Sequence, residues 1–198
     1  MTKVTCDMSV SVDGFTAGPN QSADKPFGDG PVDRLHQWMF EQREANAAEV
    51  EAITAVSAFI MGRNMFGPGR GEWDESWKGW WGDEPPYHAP VFVLTHHPRE
   101  PVEMQGGTTF TFVTDGIESA LAQARAAAGS GDVAIAGGAS TVNQYLAAGL
   151  IDELRLHVVP VLLGAGERLL DSVGNFDLEP LGVRSNELVT HMSYRVVR

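Results

Sequence analysis

The sequence predicts an α/β fold in which one mixed, mostly parallel sheet is flanked by helices and closed by a C-terminal antiparallel hairpin. Three observations lead to this prediction. Short apolar runs that are typical of buried strands alternate with segments of helical periodicity over most of the chain. Residues 132–166 contain a complete strand–helix–strand unit. Residues 178–185 and 188–197 are two strand-like segments separated by a short turn, which is the pattern of a hairpin.

The length and composition predict a single domain over residues 1–198, with 43% apolar and 20% charged residues. The formal net charge of −12 disfavours binding to nucleic acid or to an anionic membrane surface, because both require a basic surface. No apolar stretch approaches the ~20 residues of a membrane helix and no secretion signal is evident, so we expect a cytoplasmic protein. A single cysteine excludes an internal disulfide, and the six histidines lack paired-ligand spacing, so no metal site is expected.

The strand–helix–strand unit contains the strongest candidate for a binding site. Its first strand is the apolar run Val133–Ala136, which ends at Gly137–Gly138, and a helix opens at Ala139–Thr141. The first N–H groups of a helix have no partners within it, and two glycines allow another molecule to approach the backbone closely. The segment therefore predicts a phosphate-binding turn. A tight turn without a ligand is the alternative, because the full G-x-G-x-x-G signature is absent.

Residues 137–170, GGASTVNQYLAAGLIDELRLHVVPVLLGAGERLL, resemble the C-terminal reductase domain of the bifunctional riboflavin-biosynthesis deaminase-reductase and, more distantly, dihydrofolate reductase. Members of this family carry a Gly-Gly helix that holds the NADPH pyrophosphate, followed by the pattern L-x-D-E-L-x-L-x-x-x-P-x-x-L-G. The chain has this pattern at Leu150, Asp152, Glu153, Leu154, Leu156, Pro160, Leu163 and Gly164. The resemblance implies a dihydrofolate reductase-like fold and an NADPH-dependent reductase that lacks the deaminase half of the riboflavin enzyme.

The first strand and the segment after it each supply a candidate catalytic acid. Residues 4–13 alternate between a polar face and an apolar face that ends at Val12, and Ser11–Gly14 matches the S-x-D-G motif that ends the first strand in the resembled family. In the riboflavin enzymes this aspartate, here Asp13, lies beside the substrate and the nicotinamide. Asp33 lies in the first turn of the next helix, where dihydrofolate reductase has an acidic residue that binds the pterin.

Each acid also has an ordinary structural explanation. An Asp-Gly pair is common in plain turns, and a carboxylate in the first turn of a helix is favoured by the helix dipole. We expect Asp13 rather than Asp33 to hold or relay a proton. The reason is that a carboxylate beside a planar substrate in a water-poor pocket has its charged form disfavoured.

Two further strands end in candidate cofactor-binding residues. The run Ala58–Met61 is followed by Gly62–Asn64, a second family signature, in which the arginine and the next helix face the adenosine phosphates. A guanidinium can bind a phosphate bidentately, although pairing with a surface carboxylate is the alternative. The run Val91–Leu94 is followed by Thr95 and His96, which by resemblance meet the adenosine ribose and its 2′-phosphate. The cofactor residues implied are Gly62, Arg63, Asn64, Thr95, His96, Gly137, Gly138, Ala139, Ser140 and Thr141.

Residues 73–81 contain four of the five tryptophans, within a segment rich in glycine and proline. Such a loop can form the wall of a pocket for a planar ligand, a contact between subunits, or a cluster that packs on its own domain. The sequence leaves these three interpretations open.

The overall prediction is an NADPH-dependent reductase of a small conjugated heterocycle, of the pyrimidine or pterin type. Ala136 precedes the Gly-Gly pair, where riboflavin reductases commonly carry glutamate, so the substrate and the pathway stay open. A cofactor-binding homodimer without turnover is the alternative, because a fold does not determine a function. We expect a homodimer in either case. The run Val161–Leu163 continues the second strand of the unit as an apolar segment, and the resembled family dimerises through this part of the sheet.

Overall fold

The computed structural model of the chain describes residues 2–67 and 69–197. The strands of this part of the chain are β1 (Val4–Ser11), β2 (Phe15–Ala17), β3 (Ala58–Gly62), β4 (Pro90–Leu94), β5 (Val102–Glu103), β6 (Thr109–Val113), β7 (Val133–Gly137), β8 (Glu153–Val159), β9 (Glu167–Arg168), β10 (Asp177–Ser185) and β11 (Thr190–Val197). The helices are α1 (Gln37–Phe40), α2 (Ala47–Thr54), α3 (Arg63–Phe66), α4 (Ile117–Ala128) and α5 (Ala139–Ala147), with short 3-10 turns at Val32–His36, Glu44–Asn46 and Gln105–Gly107.

Nine of the strands form one sheet in the order β10-β11-β8-β1-β7-β3-β4-β6-β5, and β2 pairs with β9 in a separate small sheet. The strands from β8 to β6 in this order are parallel to one another. The β10–β11 hairpin and the short strand β5 are antiparallel additions at the two edges. The mixed, mostly parallel sheet and the C-terminal hairpin that the sequence predicts are therefore confirmed.

Strand β1 lies between the two strands of the strand–helix–strand unit. Val4 of β1 is paired with Val133 of β7, and Thr5 of β1 is paired with Glu153 of β8. Helix α5 therefore crosses over β1 on its path from β7 to β8. As a result, the carboxyl ends of β8, β1, β7 and β3 lie side by side at one edge of the sheet.

The two faces of the sheet are covered differently. Helices α4 and α5 pack on one face, where Leu121 and Val142 join the buried cluster of Cys6 and Ile135. On the opposite face, the Val32–His36 turn and helices α1 and α2 cover β8 and β11 around the fully buried Trp38.

The tryptophan-rich loop covers the remaining part of that second face. Trp73 and Trp77 pack beside the buried Phe66, and the ring of Trp81 stacks on Phe110 of β6 with ring centroids 5.8 Å apart. Of the three interpretations of this loop, the described residues support packing on its own domain.

Two strand boundaries correct the sequence-based expectation. Strand β1 ends at Ser11, so Val12 does not extend the apolar face and its side chain is 62% exposed. Strand β8 ends at Val159, and Leu162, expected to continue it, is 69% exposed. The chain turns at Pro160, which has no N–H to continue the ladder, and the N–H of Val161 donates back to the carbonyl oxygen of Val159 at 2.8 Å.

Candidate active site

The candidate active site is the edge of the sheet at which the parallel strands β1, β3, β4 and β7 have their carboxyl ends. Ligands of open α/β sheets bind at this edge. The last residues of these strands and the segments that follow them contain all the residues that the sequence assigns to the cofactor, together with Asp13. Asp33 lies farther along the chain, in the Val32–His36 turn.

Two glycines, Gly62 and Gly137, allow close packing where β3, β7 and α5 meet. Gly137 has a φ of +126°, and a Cβ there would lie 3.3 Å from Sδ of Met65. A Cβ at Gly62 would overlap Oγ1 of Thr141 in the first turn of α5. Gly138 differs, because a Cβ there would have no neighbouring atom within 4 Å. The side of Gly138 on which a Cβ would stand is therefore open to a ligand.

Helix α5 begins directly after this turn. The carbonyl oxygen of Gly138 accepts the N–H groups of Thr141 at 3.0 Å and Val142 at 3.1 Å. The N–H groups of Ala139 and Ser140 precede these bonds and, as at the start of any helix, have no acceptor within it. The positive end of the helix and the open space at Gly138 together fit a phosphate group.

Arg63 begins α3, directly after Gly62. Its Cζ lies 3.9 Å from the centroid of the Trp73 ring, and its Nη2 donates to the carbonyl oxygen of Glu72 at 3.3 Å. Its Nε is buried and has no hydrogen-bond partner among the described residues. Burial lowers the pKa of the guanidinium, which nevertheless stays charged at neutral pH. The side chain of the following residue, Asn64, is exposed.

Thr95 and His96 have different surroundings in the turn after β4. The hydroxyl of Thr95 is buried and used locally: it accepts the N–H of His97 at 3.1 Å and lies 3.3 Å from the carbonyl oxygen of His97. The side chain of His96 is exposed at the tip of this turn. Thr95 therefore holds the turn, and His96 is the residue of the pair that faces solvent.

The carboxylate of Asp13 is held by three hydrogen bonds. Oδ1 accepts the hydroxyl of Ser11 at 2.6 Å and the N–H of Leu163 at 3.1 Å, and Oδ2 accepts the N–H of Gly164 at 2.7 Å. The Ser11 hydroxyl, followed by the two N–H groups, lowers the pKa of Asp13 to about 2. The expectation that its charged form is disfavoured is therefore wrong, because these donors stabilise the anion.

Asp33 is exposed, and its neighbour Arg34 donates from Nη2 to the carbonyl oxygen of Pro160 at 3.0 Å. The turn 160–164 is therefore held at one end by Arg34 and at the other by Asp13. Asp13 therefore holds this turn at the carboxyl ends of β1 and β8, and Asp33 is the chain neighbour of the arginine that holds its other end.

The structure adds two residues to this edge that sequence reasoning missed. Trp73 contacts Arg63 and also donates from Nε1 to the carbonyl oxygen of His97 at 2.8 Å. Arg168 of β9 donates from Nη1 to the carbonyl oxygen of Asp13 at 3.1 Å, and its Cζ lies 4.3 Å from the centroid of the Phe15 ring. The cluster of tryptophans in residues 73–81 was the only sequence signal for Trp73. No local pattern indicates a role for Arg168.

The donors at this edge fit a dinucleotide cofactor. The glycine turn and the start of α5 suit a pyrophosphate, and Arg63 and His96 add cationic or neutral donors at the ends of β3 and β4. Within residues 2–67 and 69–197, no group of three or more His, Cys, Asp or Glu side chains is arranged to hold a metal ion. No helix in that part of the chain is long and apolar enough to cross a membrane.

Residues 2–191 match the family model described as the RibD C-terminal domain. No curated protein sequence matches the chain significantly.

Among solved structures, a protein of Shewanella sp. PV-4 with a provisional assignment to riboflavin biosynthesis is similar over 100% of both chains, with a TM-score of 0.69 and 21% identity. A pyrimidine reductase-like protein of Corynebacterium diphtheriae is similar over 100% of this chain and 92% of its own, with a TM-score of 0.58 and 14% identity. RibD of Acinetobacter baumannii is similar over 100% of this chain and 59% of its own, with a TM-score of 0.59 and 19% identity. At these identities the structural matches establish the fold.

Proposed function

Because the chain belongs to the RibD C-terminal domain family, we propose that it is an NADPH-dependent reductase of a small conjugated heterocycle of the pyrimidine or pterin type. Membership of this family supports reductase activity of the riboflavin-pathway type. The observation that carries the assignment of the cofactor is the turn at Gly137–Gly138, where a Cβ on Gly138 would stand in open space at the start of α5.

NADPH would supply the hydride. The chain itself would have to bind the cofactor and the substrate, orient them, and provide or relay the proton. The pyrophosphate would lie at Gly138 and the N–H groups of Ala139 and Ser140, with the side chain of Thr141 packed below against Gly62. Arg63, Asn64 and His96 would meet the adenosine end, with Thr95 holding the turn. A ligand bound in this way has its nicotinamide end near the carboxyl end of β1.

At the substrate end, Asp13 is assigned a positioning role. Its carboxylate is an anion held by Ser11, Leu163 and Gly164, and a group with a pKa of about 2 has no proton to give near neutral pH. Asp33 is the other predicted acid, and its carboxylate is exposed. It would accept an N–H group of the substrate or relay a proton from solvent.

Ala136 bears on which heterocycle the site accepts. It occupies the position before Gly137 and is partly buried on β7. A methyl group there offers no hydrogen bond to a substrate, in contrast to the glutamate of riboflavin reductases. A pterin, a pyrimidine and related conjugated rings are therefore the substrates to compare.

We also propose that the protein is a homodimer that uses the edge of the sheet formed by β10. All nine residues of β10 are exposed, and three large apolar side chains of the hairpin are at least 41% exposed: Leu181, Val183 and Val197. An open edge strand with apolar side chains favours pairing with another copy. Light scattering tests this proposal, because a mass near 21.4 kDa at micromolar concentration contradicts it.

The test of the proposed function is calorimetric binding of NADPH to the parent and to Gly138→Ala. The φ of Gly138 is −71°, which alanine adopts without strain, and its Cβ would meet no protein atom within 4 Å. We therefore expect a folded variant with NADPH affinity lowered by ~10-fold or more, since the methyl group occupies ligand space. Unchanged affinity removes the pyrophosphate assignment.

A turnover assay distinguishes the enzyme from the alternative, a cofactor-binding protein without activity. Oxidation of NADPH is measured with each member of a panel of pterins and aminopyrimidines. A reaction without protein is the control for each compound. Cofactor binding with no oxidation by any member of the panel supports the alternative.

A further inference from the structure

Trp73 connects two segments of the cofactor site that are distant in sequence. Its ring lies 3.9 Å from Cζ of Arg63 at the end of β3, and its Nε1 donates to the carbonyl oxygen of His97 at 2.8 Å after β4. The neighbouring Glu72 accepts Nη2 of Arg63 through its carbonyl oxygen at 3.3 Å. One pair of loop residues therefore holds both the guanidinium of Arg63 and the turn that carries His96.

The Trp73 ring is itself held firmly. Its centroid lies 5.7 Å from that of Phe66 and 5.0 Å from that of Phe112, with edge-on geometry in both pairs. Such contacts fix the plane of the indole, and a guanidinium that lies against a fixed aromatic ring loses its freedom before a ligand arrives. A long side chain that is already ordered loses less conformational entropy when a ligand binds.

Three arginines lie at or near this ring, in a chain with a net charge of −12. Cζ of Arg99 lies 5.4 Å from the Trp73 centroid, and its side chain is only 2% exposed. Nη1 of Arg99 is buried without a hydrogen-bond partner in the described residues. Burial lowers the pKa of the Arg63 guanidinium most, attraction to Glu72 raises this pKa, and repulsion from Arg70 lowers it by a smaller amount.

Three carboxylates, those of Glu72, Asp74 and Glu75, oppose these cations. Glu72 Oε1 lies 3.4 Å from Nδ1 of His97, and Glu75 Oε2 lies 3.3 Å from Nε of Arg99. Their side chains are 92% and 75% exposed, so water screens them far more than it screens the buried Arg99. The least screened charge beside Trp73 is therefore the guanidinium of Arg99.

We infer that Trp73 is a positioning residue for cofactor selection, which holds Arg63 and the His96 turn in the arrangement that binds the 2′-phosphate of the cofactor. This inference rests on the proposed use of NADPH. It assigns the preference for NADPH over NADH to a residue of the tryptophan-rich loop. This loop packs on its own domain and would act on the cofactor through Arg63 and the His96 turn.

The experiment measures calorimetric affinities for adenosine 2′,5′-bisphosphate and for AMP, which differ only in the 2′-phosphate. In the parent the bisphosphate should bind more tightly. Trp73→Leu should lower the ratio of the two affinities by roughly 5- to 30-fold while the AMP affinity changes by less than about 2-fold, because only the phosphate contact depends on the ordered guanidinium. Trp73→Phe keeps an aromatic face and should retain most of the ratio.

Trp80→Leu is the matched control. Trp80 belongs to the same loop, and its ring contacts Trp77 with centroids 4.6 Å apart rather than an arginine, so this variant should keep the parental ratio. Trp73→Met removes the aromatic face with less loss of packing and replaces Trp73→Leu if that variant is too unstable to measure.

The outcomes separate the inference from the function on which it rests. If the parent binds both nucleotides equally, the proposed preference for NADPH fails. If the parent prefers the bisphosphate and Arg63→Met abolishes the preference while Trp73→Leu and Trp73→Met retain it, Arg63 acts without Trp73 and the inference is overturned. An equal loss of affinity for both nucleotides in the Trp73 variants also overturns it, since that result indicates a general structural role.

Discussion

The Nδ1 atoms of His157 and His191 lie 2.7 Å apart, buried between the sheet and the helices that cover β8 and β11. The ring of Trp38 packs on both, with centroids 4.6 Å and 4.9 Å away. One of the two Nδ1 atoms must donate and the other accept, so one hydrogen lies between them.

Asn46 determines which histidine donates. Its Nδ2 donates to two carbonyl oxygens, so its Oδ1 is an acceptor, and Nε2 of His191 at 3.0 Å must carry a hydrogen. Neutral His191 therefore accepts through Nδ1, and His157 donates. Nε2 of His157 faces Oδ1 of Asp7 at 3.4 Å. The network continues to Arg184, which donates to Oδ1 of Asn46 at 3.0 Å and pairs with Glu49.

Acid should destabilise the protein in a pH window that His36, in the turn before α1, and the buried His191 define. Burial, followed by repulsion from His157, lowers the pKa of His36 and of His191 from 6.5 to about 4. The unfolded chain therefore binds more protons than the native state between these values, and stability present above pH 6.5 is lost as the pH falls towards 4. The loss should be on the order of 2 to 3 kcal/mol for each histidine.

Urea unfolding at pH 7, 5.5 and 4.5 measures this effect. His36→Phe removes one buried titrating group, whose Nδ1 has no hydrogen-bond partner in the described residues, and should reduce the pH dependence. His96→Gln changes an exposed histidine and should leave the dependence unchanged. Equal slopes for the parent and His36→Phe would contradict the assignment.

Asp7→Asn should destabilise the protein by about 2 to 4 kcal/mol, because it leaves the partly buried guanidinium of Arg155 without its main counter-ion. Nη1 of Arg155 lies 3.0 Å from Oδ2 of Asp7, and the two side chains are 20% and 7% exposed. Glu153, with Oε2 at 3.7 Å from Arg155, limits the loss. Glu179→Gln breaks an exposed pair with Arg195 and should cost less than about 1 kcal/mol in the same denaturation assay.

Asp13→Asn should lower turnover without changing the shape of its pH profile. Asp13 has a pKa of about 2, so it does not titrate between pH 5 and 9, and its loss loosens the turn that Leu163 and Gly164 form. Initial rates across this range, at saturating cofactor, test the assignment. The disappearance of one limb of the profile in Asp13→Asn, with a normal profile in Asp33→Asn, would identify Asp13 as a proton donor after all.

Gly62→Ala should lower the free energy of unfolding by about 1 to 3 kcal/mol, since its Cβ overlaps Oγ1 of the buried Thr141. The double variant Gly62→Ala, Thr141→Ala removes that oxygen and should recover part of the loss. Gly138→Ala serves as the control and should have nearly parental stability. Thermal melts measure the stability of these variants. A double variant that is no more stable than Gly62→Ala would argue against the clash with Thr141.

The sequence by itself determined the longer strands, the closing hairpin and the family, but not the short strands β2, β5 and β9. Apolar runs such as Val133–Ala136 and the alternation of residues 188–197 are local signals, and the Gly-Gly helix with its L-x-D-E-L continuation is a contiguous motif. The sequence placed Gly137, Gly138 and Arg63 at the ends of two predicted strands, and the parallel pairing of those strands in the structure brings them to one edge of the sheet.

Only the tertiary structure decided the features that depend on residues distant along the chain. The pKa of Asp13 is lowered first by the hydroxyl of its neighbour Ser11 and then by the N–H groups of Gly164 and Leu163, some 150 residues away, and no local pattern indicates these distant donors. The contact of Trp73 with Arg63 and the hydrogen bond between His157 and His191 likewise require side chains from separate elements to lie within about 4 Å of each other, where charge, burial and hydrogen bonding act together. Periodicity can place each of these residues on a face of its own element, but it carries no information on which distant side chain will meet it there.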